Sequence, residues 1–228
     1  MQRMRRGREE DIRINVYMAW RYWWADDYYG RLRPLLGVWN RRTTVAVVEG
    51  GQMSGKTEYN WFESYEMRQI HPRFMKPEDV DILDIAHSLS LICRFNGHCN
   101  WHYSVAQHSL VVSKNLPEHL QFQGLMHDAT EAYCGDMVRP LKVDLPAYQK
   151  IEQDIWIAIC QRYGLPEELD PLIKIADDRA LMTERRDVRR QSGHAWAIKE
   201  LPYKERITRI SNEEAESKFL VAFEYLTG

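Results

Sequence analysis

Apolar residues recur every three or four positions along most of the chain after Pro77. That spacing gives a helix one apolar face, and it predicts six helices here. They span residues 79–95, 105–116, 118–134, 147–163, 171–190 and 212–226. Sustained alternation of apolar and polar residues, which would indicate half-buried strands, is absent from this part of the sequence. The pattern therefore predicts an all-α helical bundle.

The first 52 residues have a different composition from the rest. They hold ten Arg, six acidic residues and no Lys, a charge of +4, which leaves −6 on residues 53–228 for the total of −2. Tryptophan and tyrosine are frequent among them, and their apolar residues keep neither a helical nor a strand period for long. We expect an irregular N-terminal extension, residues 1–52, followed by one folded domain, residues 53–228. One interpretation of the extension is a basic, aromatic arm that binds single-stranded nucleic acid.

The junction between the two parts favours another interpretation. Glu49, Gly50 and Gly51 can be encoded by a purine run that reads as a bacterial ribosome-binding site, a few bases before the codon of Met53. Under this hypothesis Met53 is the natural start, and residues 1–52 are not part of the native protein. Sequencing the N-terminus of protein made from its own gene decides between the two interpretations.

Residues 50–57 also match the phosphate-binding P-loop pattern. A working P-loop requires a parallel sheet that presents the loop and a second acidic strand end near the phosphates. The chain beyond Pro77 predicts helices alone, so we interpret the match as chance.

Composition narrows the class of protein. The 228 residues are 44% apolar and 28% charged, as in a soluble globular domain, and no run of about 18 apolar residues could span a membrane. No apolar stretch follows the Arg-rich start, so we expect no signal peptide. The net charge of −2 argues against a dedicated nucleic-acid-binding protein. The four cysteines form no CxxC pair, which favours reduced thiols and a cytoplasmic location.

Titratable residues interrupt the apolar face of the third predicted helix. His127 and Asp128 have apolar neighbours, where an adjacent imidazole and carboxylate are costly unless something neutralises them. Glu131 follows within about one helical turn and points to the same side. With His108 and Asp177 on other predicted helices, these residues would form a mixed nitrogen and oxygen site. Such a site suits a divalent ion such as Mn, Fe, Co, Ni or Zn.

The order of these residues along the chain resembles the HD-domain metal-dependent phosphohydrolases. Five short sequence motifs carry the resemblance: YSVAQHS at residues 103–109, HDATE at 127–131, GD at 135–136, RPLK at 139–142 and AD at 176–177. These motifs are similar to those of the deoxynucleotidase and bacteriophage nucleotide-hydrolase branch of the family. The resemblance covers about residues 60–226, and it implies that the all-α bundle is an HD domain.

The resemblance also implies roles for individual residues. It assigns the metal ion to His108, His127, Asp128 and Asp177, with the neighbouring Asp178 as the alternative to Asp177. It implies two catalytic carboxylates, Glu131 near the attacking water and Asp136 as a second acidic helper.

Four further residues are candidates for binding the substrate. Arg94 and Phe95 fall where deoxynucleotidases carry an Arg–aromatic pair, whose cation meets the phosphate and whose ring packs on the sugar. Those relatives have Trp where this chain has Phe95. His98 lies in the polar loop that follows and could recognise the base or the sugar. Lys142 could stabilise charge on the phosphate oxygens.

The function implied by the resemblance is that of a phosphohydrolase of deoxynucleotides that depends on a divalent metal ion, with Zn, Co, Mn or Mg as candidates. Similar members include the dATP triphosphohydrolases of phages that replace adenine by 2-aminoadenine. We therefore expect hydrolysis of dATP to deoxyadenosine and triphosphate, shaping a phage nucleotide pool in the bacterial cytoplasm. The alternative within the same class is a deoxynucleoside 5′-monophosphatase. Members of the family form dimers or higher rings, so we also expect a homo-oligomer.

Three remaining features receive a structural interpretation. We expect Trp156 in the core and His87 as a partly buried histidine with satisfied hydrogen bonds. The charged run of residues 184–190 is expected to form a solvated face with internal ion pairs. A contact from this run to a phosphate of a neighbouring subunit is the alternative.

Overall fold

A computed structural model of the chain describes residues 60–228. Most of these residues are helical, which confirms the predicted fold class at the level of a mainly α-helical domain. The predicted extension, the junction at Met53 and the P-loop match lie outside the described residues. Within residues 60–228, no helix combines the length and apolar character needed to cross a membrane.

The described chain opens with a small hairpin and continues with helices. Strand β1 (Phe62–Glu63) pairs antiparallel with β2 (Gln69–Ile70). The α-helices are α1 (Ile82–Leu91), α2 (Val105–Lys114), α3 (Glu118–Met126), α4 (Glu131–Cys134), α5 (Arg139–Lys142), α6 (Pro146–Tyr163), α7 (Pro171–Asp187) and α8 (Asn212–Thr227). Short 3₁₀ turns lie at Pro72–Phe74, Pro77–Asp79 and Phe95–Gly97.

Helix α2 lies at the centre of the bundle and packs against α1, α3, α7 and α8. Residues 105–110, at its start, are all buried. The helix begins after Ser104, whose side-chain oxygen accepts a 3.1 Å hydrogen bond from the backbone N–H of Gln107. Because helices surround α2, a polar side chain on its buried part faces other helices rather than water.

Side-chain caps also fix the starts of other helices. Asp81 caps α1 and Asp170 caps α7, each by accepting a 2.8 Å hydrogen bond from the N–H two residues further on. Ser211 caps α8 by accepting a 3.2 Å hydrogen bond from the N–H of Glu214, three residues further on. Helix α6 ends at Gly164, whose φ of 68° lies in the left-handed region that glycine adopts without strain.

The core is built from the apolar faces of these helices. Its largest fully buried apolar side chains include Ile85, Leu89, Leu125, Met126, Ile155, Ile159, Ile173 and Phe219. Trp156 is 7% exposed, which confirms its predicted place in the core. His87 is half-buried, stacks on Tyr65 and lies 3.1 Å from a Glu216 carboxylate oxygen, also as predicted.

The third predicted helix is broken. Helix α3 ends at Met126 and α4 begins at Glu131, so the prediction of one helix over residues 118–134 is wrong. Between them the backbone tightens: the N–H of Ala129 donates to the carbonyl oxygen of Met126, and the N–H of Glu131 donates to that of Asp128, each three residues earlier. The Nδ1 of His127 lies 2.8 Å from the carbonyl oxygen of Gly124, a group that a continuous helix would use for its own backbone. The break turns the chain at the residues with candidate chemistry.

The first predicted helix is shorter than expected. Instead of one helix over residues 79–95, a 3₁₀ turn at Pro77–Asp79 precedes α1, which ends at Leu91. Asp81 has extended backbone angles and caps α1, so the 3₁₀ turn and α1 are two separate helical elements. Residues 94–98 consequently form a loop rather than the end of a helix.

Candidate metal centre

Four predicted ligands come from three separate parts of the bundle. His108 lies on the buried half of α2, His127 and Asp128 lie in the turn between α3 and α4, and Asp177 lies on α7. His108 is fully buried and the other three are partly buried. We call these four residues the candidate metal centre.

The ligand atoms converge closely. The Nε2 atoms of His108 and His127 are 3.3 Å apart. One Asp128 oxygen, Oδ2, lies 3.4 Å from the His108 Nε2 and 3.3 Å from the His127 Nε2. The Oδ1 of Asp177 lies 3.3 Å from the His108 Nε2. One ligand atom each from His108, His127 and Asp177 lies within 4.8 Å of the other two, so a single ion could contact all three.

Hydrogen bonds on the far side of each imidazole fix its orientation. The Nδ1 of His127 faces the carbonyl oxygen of Gly124, which can only accept, so this nitrogen carries the proton. The Nδ1 of His108 lies 2.6 Å from Oε1 of Glu184, and a neutral His108 donates to this carboxylate in the same way. Both Nε2 atoms then present lone pairs toward each other and toward the carboxylates. A cation, either a proton or a metal ion, would satisfy these lone pairs, and this outer hydrogen bonding is typical of metal-binding histidines.

The electrostatics of the centre also favour positive charge. Burial and Arg94 lower the pKa of His108, but Glu184 and the hydrogen bonds to Asp177 and Glu184 raise it further, to about 9. Burial acts to raise the pKa of Asp177, yet the hydrogen bond from His108 and the nearby positive groups hold it well below its usual range. The same negative electrostatic potential that stabilises a proton on His108 would also stabilise a bound metal ion.

The donor set fits a divalent metal ion. Two imidazole nitrogens and two carboxylates form the mixed nitrogen and oxygen set that Mn, Fe, Co, Ni and Zn accept. With neutral histidines, Asp128, Asp177 and Glu184 carry −3 against +1 on Arg94, and Lys174, 3.1 Å from Asp177, is shared with Asp178. The excess of negative charge favours a divalent cation.

Glu184 is a functional residue that sequence reasoning missed. It is fully buried, its Oε1 contacts His108, and its Oε2 lies 3.3 Å from the Nε of Arg94. The interpretation of residues 184–190 as a solvated face is therefore wrong at Glu184. Its position contained the signal, because it follows Asp177 by seven residues, two helical turns, and so shares the side of α7 that faces the centre.

The two predicted catalytic carboxylates lie beside the centre. Glu131, in the first turn of α4, is 9% exposed, and its Oε2 has no hydrogen-bond partner within residues 60–228. Burial, followed by the charges of Asp128 and Asp136, raises the pKa of Glu131 well above its usual range. Burial also raises the pKa of Asp136, although Arg94 opposes it. An orphaned, buried carboxylate oxygen next to the ligands is a candidate proton acceptor.

Arg94 reaches the centre from the loop before α2. Its guanidinium lies 3.4 Å from the Oδ2 of Asp128 as well as 3.3 Å from Glu184. Burial lowers its pKa, but Glu184, Asp128 and Glu131 raise it more, so Arg94 remains a permanent cation. The predicted neighbour Phe95 follows with a φ of 56°.

The other sequence candidates lie further from the ligands. Lys142 interacts electrostatically with Glu131 and Asp128, but its ammonium group lies 2.6 Å from a carboxylate oxygen of Glu152 on α6. His98 is exposed in the loop after Phe95, and the structure does not bring it into the ligand cluster.

The adjacent aspartates on α7 are also distinguished by their contacts. Lys174 on the same helix forms ion pairs with both aspartates, but only Asp177 also contacts His108. The alternative register, with Asp178 as the last ligand, finds no support in this geometry.

Comparison with known proteins identifies a family, but the relatives found are uncharacterized and their names state no activity. No protein-family model matches the chain. It is 48% identical over 141 residues to the uncharacterized protein YfdR of Escherichia coli (strain K12), covering 62% of this chain and 79% of that protein. The chain belongs to the YfdR family. It is also 36% identical over 110 residues to an uncharacterized protein of Rhodobacter capsulatus, covering 44% of this chain and 56% of that protein.

Proposed function

We propose that this member of the YfdR family is an HD-domain phosphohydrolase that uses a divalent metal ion to hydrolyse deoxynucleotides. The favoured reaction is dATP and water to deoxyadenosine and triphosphate. The observation that supports it is the convergence of two histidines and two aspartates, of which His108, His127 and Asp177 each have a ligand atom within 4.8 Å of the other two. Their order along the chain is the order that resembles HD-domain enzymes.

The chemistry divides between the ion and the side chains. The candidate metal centre would hold a divalent ion, which when bound lowers the pKa of a water molecule and polarises a phosphoryl oxygen. Glu131 has a free carboxylate oxygen beside Asp128, so it can accept the proton of the attacking water. Asp136 supplies a second carboxylate that interacts with the same charges.

Arg94 provides the positive charge that phosphoryl transfer requires. Its guanidinium lies against Asp128, so it can contact a phosphate oxygen next to the ion. A cation fixed in this position stabilises charge that develops on the phosphate oxygens in the transition state. Glu184 holds both Arg94 and His108, which keeps the phosphate-binding cation and the metal ligand in a fixed relation.

Product analysis tests the proposal. The full chain is incubated with dATP, dAMP, dGTP and ATP, with Mn, Co, Zn or Mg or with a chelator, and the products are separated by anion exchange. We expect dATP to give deoxyadenosine and triphosphate when a metal ion is present, and no product with the chelator. Release of phosphate from several monophosphates would identify the activity as that of a 5′-nucleotidase. The absence of product with every metal would contradict the proposal.

The adjacent aspartates supply a matched pair of variants. Asp177→Asn removes a ligand, while Asp178→Asn removes the same charge one residue away, at a side chain paired with Lys174. We expect hydrolysis to be lost in the first variant and retained in the second. Equal activity in both would show that the measured hydrolysis does not arise at this centre.

A further inference from the structure

Two arginines at the end of α7 carry positive charge without a carboxylate partner. No carboxylate of residues 60–228 lies within ion-pair distance of Arg185 or Arg189. The intervening Arg186 differs, because its Nε and one terminal nitrogen lie 2.8 and 2.7 Å from the oxygens of Asp187. The charge of Arg186 is thus neutralised inside the protein. The other two have no carboxylate partner among residues 60–228, although one terminal nitrogen of Arg185 donates a 2.5 Å hydrogen bond to the carbonyl oxygen of His194.

Aromatic rings hold these two arginines in place. The guanidinium carbon of Arg185 lies 5.0 Å from the ring centre of Trp196. That of Arg189 lies 4.7 Å from the ring centre of Phe95 and 5.3 Å from that of Trp196. A guanidinium over an aromatic face is attracted to it and still has N–H groups at its edge. We call Phe95, Arg185, Arg189 and Trp196 the Arg–aromatic subsite.

The Arg–aromatic subsite adjoins the candidate metal centre through Arg94. The guanidinium of Arg94 lies 3.4 Å from Asp128 on one side and 5.5 Å from the ring centre of Phe95 on the other. Phe95 has a φ of 56°, in the left-handed region that a bulky side chain enters at a cost in free energy. The Phe95 ring therefore lies within cation–π distance of both Arg94 and Arg189.

We propose that the Arg–aromatic subsite binds the outer phosphates of a nucleoside triphosphate whose inner phosphate lies at the candidate metal centre. This inference rests on the proposed function and specifies its substrate class. The charge of Arg94 is already shared by Asp128 and Glu184, so a second and third phosphate need further cations. Arg185 and Arg189 supply them, and the planar N–H edge of Arg fits phosphate oxygens in pairs. A monophosphate would end before it reached these arginines.

Binding of inorganic triphosphate tests the subsite independently of hydrolysis. The metal-depleted full chain is titrated calorimetrically with inorganic triphosphate and with orthophosphate, because triphosphate would otherwise chelate the ion. The double variant Arg185→Gln/Arg189→Gln removes both free charges, and Arg190→Gln, at an exposed neighbour, serves as control. We expect triphosphate affinity to fall by roughly tenfold or more in the double variant, from the loss of charge-assisted hydrogen bonds, and to change little in the control.

Several results would overturn the inference. They are the absence of triphosphate binding to the wild-type chain, equal affinity in the double variant, and an equal loss of orthophosphate binding. Loss of single-stranded DNA binding in the double variant, with triphosphate binding intact, would assign the arginines to a nucleic-acid surface instead. If the subsite binds triphosphate as expected but no nucleotide is hydrolysed, then the proposed function fails and the subsite stands.

For an active enzyme, kinetics provide the second readout. The double variant should raise the KM for dATP by roughly tenfold or more and change the KM for a monophosphate much less. An equal change for both substrates would contradict a role specific to the outer phosphates.

Discussion

Two groups of charged residues, each built around a nearly inaccessible side chain, are balanced in opposite ways in this protein. The first is the candidate metal centre, and the second, which we call the Asp187 cluster, consists of Arg186, Asp187 and Arg206. In the Asp187 cluster one carboxylate accepts from both arginines, and its Oδ2 also accepts a 3.0 Å hydrogen bond from the backbone N–H of Ile207. Every oxygen of Asp187 has a donor that belongs to the protein.

The candidate metal centre has the reverse balance. Four residues direct acceptor atoms toward one another, and the cations that contact them are Arg94 at Asp128 and Lys174 at Asp177. Burial alone would not separate the two groups, since His108 and the Asp187 side chain are both almost inaccessible. The count of donors against acceptors distinguishes the two groups, because the chain supplies a donor to each Asp187 oxygen, whereas under the proposed function an ion would satisfy the acceptors of the candidate metal centre.

The largest predicted effect is the response of stability to metal. A divalent ion at about 100 times its dissociation constant should stabilise the wild-type protein by about 2.7 kcal/mol, because it binds the folded state alone. His127→Ala removes one ligand and should abolish the response. Thermal unfolding with Mn²⁺ and with a chelator measures it. An equal shift in both proteins would place the bound ion elsewhere.

The next effect concerns Glu184, which acts through His108. Glu184→Gln keeps the size of the side chain but removes the charge that orients the imidazole. Loss of such an outer partner lowers metal affinity by about 10–100-fold. Calorimetric titration with Mn²⁺ measures the change, and circular dichroism verifies that the variant is folded. Unchanged affinity would reduce Glu184 to a structural role.

The Asp187 cluster should affect stability and leave metal binding intact. Asp187→Asn weakens hydrogen bonds to two arginines and should lower the free energy of unfolding by about 1.5 kcal/mol at pH 7. Chemical denaturation measures the loss, and Mn²⁺ titration of the same variant supplies the contrast. A large drop in metal affinity would show that the two groups are coupled.

The same variant has a predicted pH dependence. Burial acts to raise the pKa of Asp187, but Arg186, the Ile207 N–H and Arg206 together lower it to about 2. Because this value lies below the ordinary Asp pKa of about 3.9, ionised Asp187 stabilises the fold above pH ~4, and the contribution is lost as the pH falls from ~4 to ~2. The difference in stability between the wild type and Asp187→Asn should therefore shrink over that window. A constant difference would contradict the assignment.

The smallest effect concerns the loop next to the candidate metal centre, where backbone conformation rather than charge is tested. Asn96 is exposed and has a φ of 50°. Asn96→Ala should cost about 1 kcal/mol, because alanine tolerates the left-handed region poorly, and Asn96→Gly should cost less. Denaturation curves compare the two variants, and equal stability would mean that the loop relaxes.

The sequence predicted the helical architecture well, because apolar spacing is a local property that packing reinforces at residues such as Leu89 and Ile159. It did not predict the break after Met126, where the His127 side chain binds a backbone carbonyl that the helix would otherwise use. That competition depends on three-dimensional geometry, and the periodic pattern of apolar residues does not record it.

The four candidate metal ligands could be predicted from the sequence, but Glu184, which contacts one of them, could not. The resemblance indicated His108, His127, Asp128 and Asp177, and the structure brings them together. Glu184 was hidden in a run of charges that resembles a solvated surface. Its burial depends on Arg94 and His108 arriving from other parts of the chain, which no pattern within residues 184–190 reveals.

The central claim is that the candidate metal centre holds an ion. Calorimetric titration of the metal-depleted full chain with Mn²⁺ tests it most directly, with Asp177→Asn as the ligand variant and Asp178→Asn as its matched control. The account predicts one ion per chain in the wild type and in Asp178→Asn, and no binding at this site in Asp177→Asn. Absence of binding to the wild type, or equal binding to all three proteins, would contradict it.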